Sequence, residues 1–552
     1  MEYDIKLLKN KGYSWTGNGT CYVKGYAWID NICYQEKDLL LLFNNCENIT
    51  RLLGLVKKMN GIFAGIWQDG TDTYLISDSV CVFPLFYSQE QGIITDDAYE
   101  LAKKLKVPQY DALCIAETVA SAAHSCGDKT WYQDIRQTIA GEILRLPRNG
   151  NCAVHFSYYD HALYGMNRKQ KMENYFKDLN QLSQEVFQRV IAVLNGRTAI
   201  IPLSGGCDSR YIAVMLSQLG YKNVVCFTYG KKDSFEVQNS KKIAQILGYP
   251  HFFIEYTSKL LEMYVGQEIW CYKKYATRLS NLVHVQDYIA LKELINNPDF
   301  PKHGVIVPGH SGDMYGGTHD FTESTNQEIW TDQLLAKAIY NEKYSGLKFE
   351  QRYKNFILDD ILMILKGYGE EVDDIKQVNS KNNFFDISYR QAQFICNSLR
   401  IYDYFGYSYV LPFYDLAMEQ YWCDIPMEYR QIPSLYHTYL LKYLFPKYGL
   451  CFISDEAYLK GKRNNGVLGR KQKWKQNIHV ILEYFLMRYN VNLRFWNPDV
   501  NNLAAIQQKL YHSITNKNVI SLKHSDFNHL STIRDMEYLL QDKYMMRNIL
   551  GK

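Results

Sequence analysis

The chain has 552 residues, 47% hydrophobic and 22% charged, with a formal net charge of +4. That length exceeds one ordinary core, so two or more domains are expected, and the composition is that of a globular protein. The small net charge argues against a nucleic-acid footprint, and the longest apolar runs, such as Leu39 to Phe43, fall far short of the roughly 20 residues that span a bilayer.

The 13 cysteines form no CxxC pair and sit in apolar segments, which reads as reduced core thiols rather than disulfides or a zinc site. The start Met1-Glu2-Tyr3-Asp4 is polar with no apolar run behind it, so no secretion signal is expected and a cytoplasmic location is.

In chain order, the first part reads as short strands with Gly, Asn and Asp turns. Asn60 to Trp67 and Thr73 to Asp78 form a hairpin about the turn Gln68 to Thr71, and Gly141 to Leu146 is another strand. A long helical period begins near Met172. Strands and helices then alternate. Ala199 to Leu203 is a strand, Tyr211 to Leu216 a helix, Val224 to Tyr229 a strand and Glu236 to Leu247 a polar helix stopped by Gly248 and Pro250. Phe252 to Ile254 and Val305 to Val307 complete four strands, and beyond residue 330 the chain is mainly helical. The alternation implies a parallel, doubly wound sheet with ligands at the strand C-termini.

Between the first of those strands and its helix lies Ser204-Gly205-Gly206-Cys207-Asp208-Ser209. Strand, glycine turn, helix aims backbone N–H groups and a helix N-terminus at an anion. The glycines allow close approach, Ser204 and Ser209 add hydroxyls, and Asp208 can hold a cation beside phosphate charge. No lysine ends the run, so it is not the GxxxxGK[ST] loop. It resembles the SGGxDS pyrophosphate loop of ATP pyrophosphatases, which cut ATP between the α and β phosphates. The fourth strand ends in Pro308-Gly309-His310-Ser311-Gly312-Asp313, then Gly316-Gly317. Asp208 and Asp313 are the natural pair for Mg²⁺, which takes a few carboxylates plus phosphate oxygens.

SGGCDS, CFTYG with Glu236, GHSGDMYGG and LPFYD (Leu411 to Asp415) stand in the order found in the asparagine synthetase family, which the chain resembles over nearly its whole length. NGIFAGIW, SDSVCVFPLFYS and AGEILRL resemble that family's class II glutaminase half. The resemblance implies an N-terminal glutaminase-like αββα sandwich over residues 1–165. It implies an α/β ATP pyrophosphatase (PP-loop) domain with a helical cap over 166–552. It implies ATP and Mg²⁺ as cofactors. Leu203 and the main chain at Tyr229, Pro308 and Gly309 fall where the family holds adenosine, Ser204, Gly205, Gly206, Asp208 and Ser209 where it holds phosphate, and Asp208 with Asp313 where it holds magnesium. Lys460 and its competitor Lys462 fall near a lysine that steadies charge in adenylation. Asp415, Arg390 and Arg400 fall in the cap, as scaffold or substrate contacts.

Three departures stand out. The family's glutaminase needs a cysteine as residue one after Met removal, whereas Glu2 occupies the second position here and the first cysteine is Cys21. Asn60, Gly61 and Asp78 remain as a vestigial glutamine site, with Ile62 in place of a glutamate, so the half is expected to be an inactive scaffold. His310 replaces the glutamate of asparagine synthetases and the tyrosine of β-lactam-forming relatives, and with an ordinary pKa it would accept a proton from an attacking amine. Met314 replaces an acidic residue and one residue is missing before Gly316, which puts aspartate in doubt as substrate.

The implied activity is an AMP- and pyrophosphate-forming amide ligase. The expected partners are a small-molecule or peptide carboxylate and ammonia or an amine, with no nucleic acid, no membrane, and a homodimer left open. The variants weighed are a sugar-acid amidotransferase, a lasso-cyclase-like or β-lactam-synthetase-like ligase, and a non-catalytic nucleotide-binding pseudoenzyme. Sulfur transfer to tRNA is the rival set aside, for want of cysteine pairs and a basic surface.

Overall fold

The computed structural model describes residues 2–8, 12–159, 170–264, 267–317, 320–321, 330–345, 351–430, 434–455, 459, 535–536 and 539–540. Its centre is a five-stranded sheet in the order His251–Glu255, Val224–Gly230, Ala199–Pro202, Val305–Ile306, Ser408–Tyr409, every pairing parallel. The strand Ala199–Pro202 is in the middle. The chain first builds outward on one side of it, then returns to add Val305–Ile306 and Ser408–Tyr409 on the other. In such a sheet the order reverses between Ala199–Pro202 and Val305–Ile306, and the crevice beyond their C-terminal ends is where a ligand fits.

The inner strands of this sheet are covered on both faces, so they read as unbroken apolar runs rather than as alternation, while the edge strand His251–Glu255 is half-buried. Helix Cys207–Gln218 begins inside the glycine motif itself, with Gly206 as its extended N-cap. Helix Phe235–Leu247 starts at Ser234, whose side chain accepts the Val237 N–H, and ends at Gly248 in the left-handed region. The helical period near Met172 becomes helix Met172–Leu194, whose buried stripe runs Tyr175, Leu179, Val186, Val190, Val193. The fifth strand, Ser408–Tyr409, has no counterpart in the predicted elements. It is two residues long and sits just before Pro412, so it offers no periodicity to read.

The N-terminal part holds a seven-stranded sheet and a four-stranded sheet. The predicted hairpin is Asn60–Gln68 against Asp72–Ser77. Successive residues face opposite sides: Phe63, Trp67, Tyr74 and Ile76 pack under helices Glu36–Asn44 and Ile49–Val56, while Ile66 and Leu75 meet Tyr87 and Ile94 of the smaller sheet. Tyr26, Trp28 and Ile62 from these sheets, with Phe83 from the segment before strand Phe86–Ser88, share one apolar cluster with the parallel sheet. Across that junction Lys24 pairs with Asp403 at 2.9 Å, both nearly enclosed, and buried Arg278 bonds Gln137 and the Ala392 carbonyl. Among the described residues, no helix is long and apolar enough to cross a membrane.

Candidate functional site

The glycine motif forms a closed loop. The Ser204 N–H donates to Ser209 Oγ at 3.0 Å, and the two hydroxyls lie 3.1 Å apart. The serines therefore shape the loop, and the N–H groups that face outward are those of the first helical turn, which have no intrahelical acceptor. A Cβ on Gly205 would stand 2.9 Å from Glu236 Cα, so only glycine lets the loop sit against helix Phe235–Leu247. Behind it, the fully buried Arg210 grips both Asp455 oxygens at 2.8 and 2.9 Å and donates to the Gly205 carbonyl at 3.1 Å.

The loop after the fourth strand lies directly on this one. A Cβ on Gly312 would fall 2.4 Å from Asp208 Cγ, and one on Gly309 3.0 Å from the Ser209 nitrogen. Asp313 stands exposed in the single turn Gly312–Gly316. Burial pushes the Asp208 carboxyl up to about 7. Tyr436 and Arg210 oppose the rise, and the charge of Asp313 adds to it. The two aspartates thus belong to one electrostatic site.

Ser311 holds the second loop in a left-handed conformation, φ 68°, with its hydroxyl bonded to Gln391 Oε1 at 2.8 Å and to the Tyr414 hydroxyl. Tyr315 donates to the Phe413 carbonyl, so LPFYD serves to pin the acidic turn. The Tyr436 hydroxyl donates to Asp208 Oδ1 at 2.7 Å across 228 positions of sequence. Tyr436, Gln391 and Arg210 were not among the predicted site residues. Nothing local in the sequence distinguishes them from core tyrosines and scaffold polar groups.

Other predicted residues fall as follows. Leu203 is buried, its N–H on the Phe227 carbonyl and its own carbonyl holding the Thr228 hydroxyl, so its backbone is spent inside the sheet. Tyr229 donates to Asp287, and Pro308 is buried beside Gly309. His310 meets the Ser398 hydroxyl at 3.0 Å, and burial drives its pKa down to about 4, so the imidazole is neutral at pH 7 and a weaker base than an ordinary pKa provides. Asp415 makes a two-pronged pair with Arg189 at 2.7 Å, Arg400 bonds the Asp96 and Tyr275 carbonyls, and Arg390 lies 3.8 Å from Asp386. Asp415 and Arg400 are held as scaffold, whereas the buried Nη1 of Arg390 has no hydrogen-bond partner among the described residues. Lys460 and Lys462 lie outside the described residues.

In the N-terminal part, Asn60 Oδ1 accepts the Leu416 N–H at 3.0 Å, and a Cβ on Gly61 would strike the Tyr26 carbonyl at 2.4 Å. Both line a cleft of about 310 Å³ that also holds Arg189 and Asp415. Asp78 is buried and accepts the N–H groups of Phe63, Val80 and Val82. Cys21 pairs with Trp67 while Asn60 pairs with Trp28. The thiol is therefore about 23 Å along the strand from Asn60. Elsewhere Glu117, Cys126 and Asp360 gather within 4.8 Å, but Lys129 bonds both carboxylates and fills the place of a cation.

A family model described as queuosine biosynthesis protein QueC matches residues 198–267, the stretch that carries the glycine motif and Tyr229. The chain is also similar to curated tRNA-specific 2-thiouridylases MnmA. That of Ehrlichia ruminantium (strain Welgevonden) is 26% identical over 190 residues, 32% of this chain and 50% of the relative. That of Rickettsia peacockii (strain Rustic) is 32% identical over 126 residues, 20% of this chain and 34% of the relative. The chain thus spans about half or less of the length of these relatives. These matches support a PP-loop ATP pyrophosphatase-type domain within a mixed α/β chain. They also correct one expectation. Nucleic acid was excluded because the net charge is small, yet the similar proteins are tRNA-specific by name. Net charge sums over the whole chain and says nothing of a local basic surface, so the exclusion does not stand.

Proposed function

We propose that this protein uses ATP to adenylate a carboxylate and passes the acyl group to ammonia or an amine. The observation that carries this reading is the contact of Gly312 with Asp208, which joins an acidic turn to a pyrophosphate-type loop at the switch point of the sheet. A buried carboxyl whose proton affinity is raised by burial and by the charge of a second carboxylate suits a hard cation. Asp208 and Asp313 would hold Mg²⁺, which supplies charge neutralisation for the triphosphate and the departing pyrophosphate.

The substrate carboxylate oxygen bonds to the α-phosphorus as the bond from that phosphorus to the α–β bridging oxygen breaks. Pyrophosphate leaves with that oxygen and its electron pair, held by Gly205, Gly206 and the helix end. The amine nitrogen then bonds to the acyl carbon and loses a proton, and AMP departs with the former carboxylate oxygen. Neutral His310 orients the amine through a ring nitrogen, and the proton passes on to water. Leu203 and the main chain at Tyr229, Pro308 and Gly309 are the candidates for the adenosine end, and Lys460 and Lys462 are the candidates to steady the developing charge.

In this reading residues 1–165 are a glutaminase-like scaffold and 166–552 the synthetase part. Asn60, Gly61 and Asp78 mark a glutamine site that has lost its nucleophile. Similarity to thiouridylases favours a second reading, in which the adenylated group is a base carbonyl oxygen of tRNA and the attacking atom is sulfur. Pyrophosphate release is the test, with a carboxylate panel plus ammonium in one arm and tRNA plus sulfide in the other. Substrate-dependent release by the wild type, falling at least 100-fold in Asp208→Ala, is expected. Equal rates in both proteins would exclude this site, and release in the tRNA arm alone would replace amide ligation by the second reading.

A further inference from the structure

We infer that Ser398 is a positioning residue for the acyl-transfer step: it fixes the His310 ring as the Nε2–H tautomer, which leaves Nδ1 as a pure acceptor and selects a nucleophile that has an N–H to give. The inference rests on the adenylating reading above and names the nucleophile class of that same site.

The proton count at Ser398 settles the tautomer. Its Oγ lies 2.5 Å from the Ile395 carbonyl and 3.0 Å from His310 Nε2. A carbonyl oxygen only accepts, so the single hydroxyl proton is committed to it. The contact with Nε2 then takes its proton from the ring, and the serine oxygen accepts. In a neutral imidazole the other nitrogen carries a lone pair and no proton. Burial keeps the ring neutral at pH 7, although the charges of Asp287 and Asp313 pull the other way. Among the described residues the His310 ring makes no second hydrogen bond, so Nδ1 is unclaimed.

Nδ1 is the ring nitrogen on the Cγ side, beside its own backbone, while Nε2 reaches away to the cap. That backbone belongs to the loop that carries Asp313. At Gly309, immediately before His310, a Cβ would stand 3.0 Å from the Ser209 nitrogen, so the unclaimed acceptor sits where this loop meets the nucleotide loop. The cap holds the arrangement twice. The π-helical segment Asp386–Ile395 and the turn Cys396–Leu399 supply Gln391, which bonds Ser311, and Ser398, which bonds His310. Ser311 is left-handed, so the direction in which the His310 side chain leaves the loop depends on a conformation that these bonds sustain.

An acceptor at this point treats nucleophiles differently. Ammonia or a primary amine donates one N–H to Nδ1 and keeps its lone pair for the acyl carbon. Once the C–N bond has formed and AMP has departed, the surplus proton passes to water. A hydrosulfide or persulfide anion brings charge and a weak S–H donor or none, and gains little from a lone pair facing it.

The test labels the 13 histidines of the full chain with ¹⁵N and reads ring protonation by long-range ¹H–¹⁵N NMR. The His310 signals are identified by their loss in His310→Gln. A protonated Nε2 and a bare Nδ1 are expected in the wild type. Ser398→Ala should populate both N–H forms, and Ser398→Thr, which keeps the hydroxyl, should restore the single one. Amide formed from ammonium, divided by ATP–pyrophosphate exchange with the same acid of the carboxylate panel, should fall about tenfold in Ser398→Ala and recover in Ser398→Thr. A protonated Nδ1 in the wild type, a tautomer unmoved in Ser398→Ala, an unmoved ratio, or transfer to sulfide as fast as to ammonium would each overturn the inference. The expected tautomer without exchange on any acid keeps the hold of Ser398 on His310 and removes the ligase reading instead.

Discussion

Asp208 owes its position to a residue far away in the chain. Its carboxylate accepts the Tyr436 hydroxyl at 2.7 Å and abuts the Gly312 backbone, which leaves its second oxygen for a cation. Tyr436 itself packs against Tyr211, Tyr315, Phe413 and Trp422. Tyr436→Phe keeps that packing and removes only the hydroxyl, so the fold is expected to survive while the aspartate loses its orientation. Pyrophosphate release should fall about tenfold, with a higher Mg²⁺ requirement and an unchanged unfolding midpoint. An Mg²⁺ titration beside a denaturant melt checks both halves. A variant with wild-type Mg²⁺ dependence would show that Tyr436 is only a core residue. The same scale explains His310. As a residue type it promises a base near neutral pH, and its enclosure beside Ser398 takes that away.

Two loops, each following a parallel strand, make the site, and their contact is backbone against side chain. Gly312→Ala would drive a methyl group to 2.4 Å from Asp208 Cγ, in a turn already constrained by the left-handed Ser311. Either the acidic turn lifts or Asp208 rotates away. Nucleotide-dependent pyrophosphate release is expected to be lost, at a stability cost of about 1–3 kcal/mol. Activity assays alongside thermal unfolding distinguish this from general collapse, since the methyl group touches only the crevice. At this scale much was legible beforehand. The strands Ala199–Pro202, Val224–Gly230 and His251–Glu255, the helix from Phe235 and the long helix from Met172 are runs long enough to carry their own pattern. The strand Ser408–Tyr409 does not, because two residues have no period and their pairing exists only once Val305–Ile306 is in place.

Across the whole molecule, the N-terminal sheets and the parallel sheet are bound by charge as well as by a shared apolar core. Lys24 and Asp403 form a buried pair at 2.9 Å, and Asp403 also accepts the Tyr13 N–H. Lys24→Met leaves that carboxylate without its cation and is expected to cost about 3–5 kcal/mol, with much of the loss recovered in the double variant Lys24→Met, Asp403→Leu. Denaturant unfolding of the single and double variants measures it; equal losses in both would mean the pair contributes nothing beyond packing. This junction also carries Asn60, whose side chain caps the segment after LPFYD rather than standing over a ligand.

By itself the sequence determined the type of nucleotide loop and the parallel α/β core around it, and it singled out Asp208 and Asp313 as the pair to test. Each of these is written in a short run of residues whose local physics does not depend on distant chain. Only the tertiary structure decided that Gly312 seats one aspartate loop on the other, that Tyr436 orients Asp208, that burial disarms His310, and that Ser398 meets its ring. Those properties arise from contacts between segments far apart in sequence and from the water they exclude, and neither leaves a local pattern to read.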